Sequence, residues 1–194
     1  KRQAIEVPHR IRRNGLDVDC LPPDLSVIWN SLLLPFKSGH GETIHAFNMF
    51  FLAVEHYARC VLRFVERYKP DILVSDFAFP AASLAAEIAG IPYAVIYHSG
   101  LPFRGDGIPP FGSGLPIGDN YANSDDGYVR RENQLLNRID KRMNAARRAL
   151  GLTPTEPDIL RRPYSPWLNL VVSGAHMEAP RNNLTDSTFF IGPC

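Results

Sequence analysis

Cysteine, charge of one sign and long hydrophobic runs are all scarce in this chain of 194 residues. Its three cysteines, Cys20, Cys60 and Cys194, are odd in number and far apart. They form no CxxC or Cys/His pairing, so neither a disulfide framework nor a zinc site is indicated, and a reducing, cytoplasmic setting is the default expectation. Lys and Arg total 21 against 20 Asp and Glu, a net charge of +1. That balance gives no bulk-charge argument for a nucleic-acid or acidic-lipid partner. The longest mostly apolar stretch, Ala81–Tyr97, is interrupted by Glu87, Gly90 and Pro92. A bilayer span needs about 20 predominantly apolar residues, so the stretch reads as a buried helix, turn and strand, with no transmembrane segment expected. The basic start, Lys1–Arg13, has no apolar signal core and no initiator Met, so a processed, trimmed or partial chain is expected.

What is present is a globular composition. With 45% hydrophobic and 21% charged residues the chain can bury a core, and no repeat or low-complexity segment interrupts it. Near the start, 3–13 reads as the tail of a helix and 16–21, alternating apolar with acidic residues, as a half-buried strand. Residues 24–41 read as a loop or short helix. The stripe Ile44, Phe47, Phe51, Val54, Ala58, Val61, Val65 and Tyr68 then predicts a long amphipathic helix over 42–68.

The next stretch is the most informative. A turn at 69–71 leads into a short apolar strand, 72–75, closed by Asp76. Pro80 and Gly90 bracket an alanine-rich helix over 81–89, the expected start and stop signals. Residues 93–97 form a second strand rich in β-branched and aromatic residues. Strand, helix, strand makes a βαβ unit whose strands are parallel, and the chain is therefore an α/β protein. A glycine- and proline-rich loop runs from His98 to Asn123. A loop this long in a compact domain is usually functional or disordered. Ser124-Asp125-Asp126 caps a helix to about Leu150, 167–173 is a further buried strand and 188–191 a last short one.

In open parallel sheets ligands bind beyond the carboxyl ends of the strands. That rule singles out Asp76 and His98-Ser99, each directly after a strand of the βαβ unit, with the long loop overhanging the same crevice. A carboxylate at a strand end can orient an imidazole and stabilise its protonated form; it can equally cap local backbone amides. For His98 a pocket-lining, hydrogen-bonding role is favoured over that of a base. His40 and His45 have no carboxylate at ligand-like spacing, so no metal site is expected. The GSGLPIG run at 112–118 neither opens a helix nor has dinucleotide-loop spacing. Asn183-Leu184-Thr185 is a glycosylation sequon, meaningful only in a secreted protein.

The run PDILVSDFAFPAASLAAEIAGIPYAVIYHSGLP at 70–102 resembles the core of the N-terminal domain of family 1 glycosyltransferases, especially their bacterial macrolide-type and carotenoid-type members. GLDVDCLPPDL (15–25) resembles the segment ending that family's third strand, and FFIGPC (189–194) its last strand and the start of the interdomain linker. The resemblance implies a Rossmann-like, mostly parallel sheet flanked by helices. Residues 1–194 would then be one incomplete acceptor-binding domain of a GT-B enzyme, a hexosyltransferase acting on a small, lipophilic, hydroxylated acceptor. It further implies a nucleotide-sugar donor such as a UDP-sugar, bound mainly outside this segment, and neither cofactor nor metal.

By the same resemblance Asp76, in its VSDF context, supports a catalytic histidine expected upstream of Lys1. Phe77, His98, Ser99, Leu101, Pro102 and Phe111 are the implied acceptor-pocket linings. With the first strand, the base and the donor domain absent, the segment alone is expected to be inactive and marginally stable. Two alternatives stay open at this point. One is another GT-B enzyme such as a sugar-nucleotide epimerase; the other is a non-catalytic α/β binding or scaffold subunit completed by a partner chain.

Overall fold

A computed structural model describes Leu21, Asp24, Leu25, Met49 and residues 51–98, 100–118, 121, 126–156, 161 and 163–193. The helix tail at 3–13, the strand at 16–21, most of the loop at 24–41, the first part of the 42–68 helix and the Ser124-Asp125 cap lie outside these residues. The described elements are helix α1 (Val54–Tyr68), strand β1 (Leu73–Asp76), helix α2 (Ala81–Ala89), strand β2 (Tyr93–Tyr97), helix α3 (Gly127–Ala149), strand β3 (Leu168–Val171) and strand β4 (Thr188–Phe190). One 3-10 turn, Ala175–Met177, lies between β3 and β4.

Local chemistry explains the boundaries. Residues 51–53 form a turn ahead of Val54, so the helix pattern overran a break there. Phe51 keeps its place in the apolar stripe because it is buried in the core whether or not the backbone is helical. Lys69 ends α1 in the left-handed conformation, its N–H donating to the Val65 carbonyl at 2.8 Å. Pro80 begins α2, and Gly90, with φ +67°, ends it at no Cβ penalty. The Asp126 carboxylate accepts from the Tyr128 and Val129 amides at 2.7 and 3.2 Å, satisfying two of the donors that open α3.

The four strands are all parallel in the order β1-β2-β3-β4, the mostly parallel sheet flanked by helices that the βαβ pattern predicts. The register pairs Leu73 with Tyr93, Asp76 with Ile96, and Tyr97 with Val171. Side chains alternate across a strand, so Val95, Tyr97 and Val171 share one face. There they join Ala58 of α1, Ala81 and Leu84 of α2 and Ile139 of α3 in one apolar core. Burial of each such large side chain contributes about 1.5–3 kcal/mol. Ala85 and Ala86, wholly buried, let α2 lie close between α1 and the sheet.

At the amino ends of the strands Asn169 is fully buried and satisfied. Its amide donates to the Ser165 carbonyl at 2.7 Å and the Ser187 hydroxyl at 3.1 Å, and its carbonyl accepts from the Ser165 amide at 3.1 Å. Such a network anchors β3 to both of its connections. On the opposite face Val74 and Phe189 are exposed. No helix among the described residues is long and apolar enough to cross a membrane.

Candidate functional site

The carboxyl ends of β1 and β2 bring together two residues that the sequence places only at separate strand ends. Asp76 closes β1 and His98 directly follows β2. The Phe77 amide donates to the Ile96 carbonyl at 3.0 Å, extending the ladder one step beyond Asp76. This alignment sets the His98 ring against the Asp76 side chain, and Nδ1 of His98 is hydrogen-bonded to Oδ2 of Asp76. The other carboxylate oxygen, Oδ1, accepts from the Ala78 amide at 2.8 Å. One carboxylate thus both accepts from a local backbone amide and meets an imidazole.

Both side chains remain open to a ligand, 39% exposed for Asp76 and 58% for His98. The floor beneath them is aromatic and packed. Phe77 is buried, its ring centroid 5.5 Å from that of His98 and stacked on Tyr97 at 5.6 Å. Tyr97 in turn meets Phe103 edge-on at 5.3 Å. Tyr164 donates its hydroxyl to the Phe77 carbonyl at 2.9 Å. Burial, reinforced by nearby Tyr97, Tyr93 and Asp76, pushes the Tyr164 phenol well above its ordinary range, so it stays a neutral donor.

Of the residues named from sequence, Asp76, Phe77 and His98 meet. Leu101 and Pro102 are buried in the first residues of the following loop, where Leu101 joins Phe77 in the core. Phe111 is instead tied to the start of α3, its carbonyl accepting the Tyr128 hydroxyl at 2.9 Å. Ser99 lies outside the described residues.

Sequence reasoning missed Tyr164 and Arg181. Tyr164 sits in the non-periodic RRPYSPW run. Arg181 holds the loop after β2, donating to the Leu101 carbonyl at 3.1 Å and to the Phe103 carbonyl. Neither carries a local pattern, because each acts on backbone atoms remote in sequence. Asn183 of the sequon is another tether, its amide donating to the carbonyls of Arg104 and Arg161 at 2.7 and 3.0 Å.

Two cavities lined by described residues lie beside the sheet. The larger, about 500 Å³, is lined by Glu87, Tyr93, Asp140, Arg147 and Ser165. It lies at the amino ends of the strands, away from Asp76 and His98. Among its charged lining residues, Arg147 is paired with Glu87 through two contacts of 2.7 Å, and Asp140 with Arg161 at 2.8 Å. The smaller, about 290 Å³, lies under the loop after β2 between Arg104, Ile108, Tyr121 and Glu132. Burial pushes the Glu132 carboxyl upward, and its ion pair with Arg104 opposes the rise. Among the described residues no group of three or more His, Cys, Asp or Glu side chains is arranged to hold a metal ion.

No protein-family model matches the chain, and no curated protein does. Solved structures do. The glycotransferase of kitacinnamycin aligns over 97% of this chain and 42% of its own, at 16% identity and a TM-score of 0.54. The glycosyltransferase SnogD from Streptomyces nogalater aligns over 94% of this chain and 40% of its own, at 18% identity and a TM-score of 0.49. The first likeness carries the fold, that of a GT-B-like glycosyltransferase. This chain spans about a third to two fifths of the length of the structures it matches.

Proposed function

We propose that this chain is the acceptor-binding half of a nucleotide-sugar-dependent glycosyltransferase, moving a hexose to a hydroxyl of a small lipophilic acceptor. The observation that carries the reading is the Asp76 carboxylate holding an imidazole at the carboxyl end of a parallel strand. A paired carboxylate orients the ring and stabilises the imidazolium formed when the ring takes a proton from an alcohol. The Phe77 ring lies under the imidazole, and an apolar floor of this kind suits a lipophilic aglycone over a free sugar.

Asp76 also stands at the carboxyl end of β1, the side of an open parallel sheet on which ligands bind. The donor, a UDP-sugar or similar nucleotide sugar, would be bound mainly by residues outside this segment. The diphosphate leaving group would be held there, and the acceptor oxygen would displace it directly with inversion at the anomeric carbon.

The test is transfer by the full-length polypeptide that contains this chain, assayed with UDP-glucose and a panel of hydroxylated aglycones. Asp76→Ala should lower turnover by about 10²-fold or more while donor affinity stays within a few-fold. Unchanged turnover in the variant removes the role of Asp76. No transfer by the parent chain, together with a stable complementing partner, favours a binding subunit instead.

A further inference from the structure

Resting on that reading, we infer that the cavity of about 290 Å³ under the loop after β2 is a subsite for one neutral, polyhydroxylated ring, a sugar already carried by the acceptor. The substrate class is then a glycoside that receives a further sugar.

The two cavities differ in what their polar groups are doing. In the larger, Arg147 uses all three guanidinium nitrogens on the protein itself, donating to the Thr153 carbonyl at 2.6 Å and to both Glu87 oxygens at 2.7 Å. Asn144 there donates to and accepts from the Thr155 backbone at 2.9 Å. The smaller cavity is lined by groups with hydrogen-bonding capacity left over. Glu132 gives Oε2 to Arg104, while its Oε1 accepts from no described residue. Nη1 of Arg104 likewise meets no described acceptor. Arg161 binds Asp140 through Nη1 alone, at 2.8 Å, and Asp106 accepts from Asn182 through Oδ2 alone, at 2.8 Å. The amide of Asn133, exposed on α3, has no partner among the described residues.

That set selects the ligand. Arg104 and Arg161 each face a carboxylate, so neither cation is left for an anion, and a cationic ligand would sit against both guanidiniums. Missing instead are donors for Oε1 and Oδ1 and acceptors for the guanidinium and amide N–H groups. A hydroxyl is donor and acceptor in one, so a ring bearing several of them serves the whole set. Burial pushes the Glu132 carboxyl upward, and a hydroxyl donating to Oε1 relieves that penalty. Ile108, Tyr121 and Leu136, all buried, supply apolar wall for the C–H face of the ring. Ligand pockets run from about 300 to 1,000 Å³, so this one takes a single ring and not a polycyclic aglycone. Arg104 follows His98 by six positions, and an extended chain spans at most about 3.6 Å per residue, which keeps the cavity wall within about 22 Å of the candidate site. An aglycone bearing one sugar has that order of length.

Two measurements on the full-length polypeptide that contains this chain test the assignment. In ¹³C-methyl spectra, the Ile108 and Leu136 methyls should shift saturably with at least one of methyl glucoside, methyl galactoside and methyl rhamnoside. Cyclohexylmethanol, a ring with a single hydroxyl, should bind at least about tenfold more weakly, the loss of two or more hydrogen bonds. Asn133→Ala should weaken the glycoside about 2–10-fold, and Asn133→Trp should abolish its binding, both with Tm unchanged because that side chain holds nothing in the fold. In the transfer assay with UDP-glucose, an aglycone and its monoglycoside are compared; kcat/KM should favour the glycoside at least about tenfold, an advantage that Asn133→Trp removes. Methyls that stay unmoved by all three glycosides overturn the assignment, as do methyls that respond more strongly to phenethylamine or benzoate. Saturable shifts with equal transfer to aglycone and glycoside overturn the acceptor as the source of the sugar and make a free saccharide the occupant. A parent that transfers nothing overturns the glycosyltransferase reading, and the methyl shifts then decide the cavity by themselves.

Discussion

Arg181 and Leu101, 80 positions apart in the chain, are joined by a guanidinium-to-carbonyl hydrogen bond of 3.1 Å. The same guanidinium also holds the Phe103 carbonyl, and Glu178 lies 3.8 Å away. One side chain from the segment before β4 thereby fixes the first residues of the loop that leaves the candidate site. Its side chain is only 5% exposed, and burial draws its pKa downward while Glu178 raises it in part.

Replacing Arg181 should therefore cost more than a surface arginine does. Arg181→Met keeps most of the apolar stem but leaves the Leu101 and Phe103 carbonyls without that donor. Each buried carbonyl left unsatisfied costs about 1–3 kcal/mol. The expected result in urea unfolding is a loss of at least about 2 kcal/mol, with faster amide exchange over residues 100–105. A loss under about 0.5 kcal/mol, the size of an ordinary surface effect, would contradict the clamp.

Two glycines with the same backbone handedness should respond differently to alanine. Gly90 has φ +67° with open space where a Cβ would stand. Gly100 has φ +84°, and its Cβ would lie 2.8 Å from Oε1 of Glu178, an oxygen that accepts the Ser173 hydroxyl at 3.1 Å. Gly90→Ala is expected to cost about 1–2 kcal/mol for the left-handed conformation alone. Gly100→Ala should cost more by the energy of displacing Glu178, measurable as a further drop in Tm of several degrees. Equal losses at the two positions would mean that Glu178 swings aside freely.

Glu132 supplies a pH test with a definite sign. Its carboxyl is pushed above the usual value of 4.5, first by burial, with Arg104 working against the rise. The folded chain therefore holds this proton to higher pH than the unfolded chain does. Above the unfolded value the folded state binds more protons, so stability from this group is fully present below about pH 4 and is lost as pH rises through the folded value. The stability of the parent chain minus that of Glu132→Gln should accordingly be more favourable at pH 4 than at pH 7. A difference independent of pH, measured by denaturant unfolding, would mean that the ion pair cancels the burial.

Legibility of the fold tracked how local its causes are. The helix over 81–89 and the strand over 93–97 appear where Pro80, Gly90 and the β-branched run put them. Strands read at 167–173 and 188–191 form over the shorter spans Leu168–Val171 and Thr188–Phe190. Apolar content extends past the last paired residue, and only pairing ends a strand. The long first helix was over-read for a related reason: an apolar stripe records which residues are buried, and it continues through the turn at 51–53 without a mark.

The sequence by itself determined the parallel α/β character, the βαβ unit and the position of Asp76 at a strand end, because these follow from periodicity, helix punctuation and the alternation of strand and helix. Only the tertiary structure decided that His98 is the side chain Asp76 holds, that Tyr164 and Arg181 brace the site, and that the larger cavity lies at the other end of the sheet. Those relations are made by strand register, which brings together side chains 22 residues apart, and by hydrogen bonds to backbone atoms 78 to 87 residues away. A backbone carbonyl is the same in every residue, so nothing in the local sequence marks which one a distant side chain will reach.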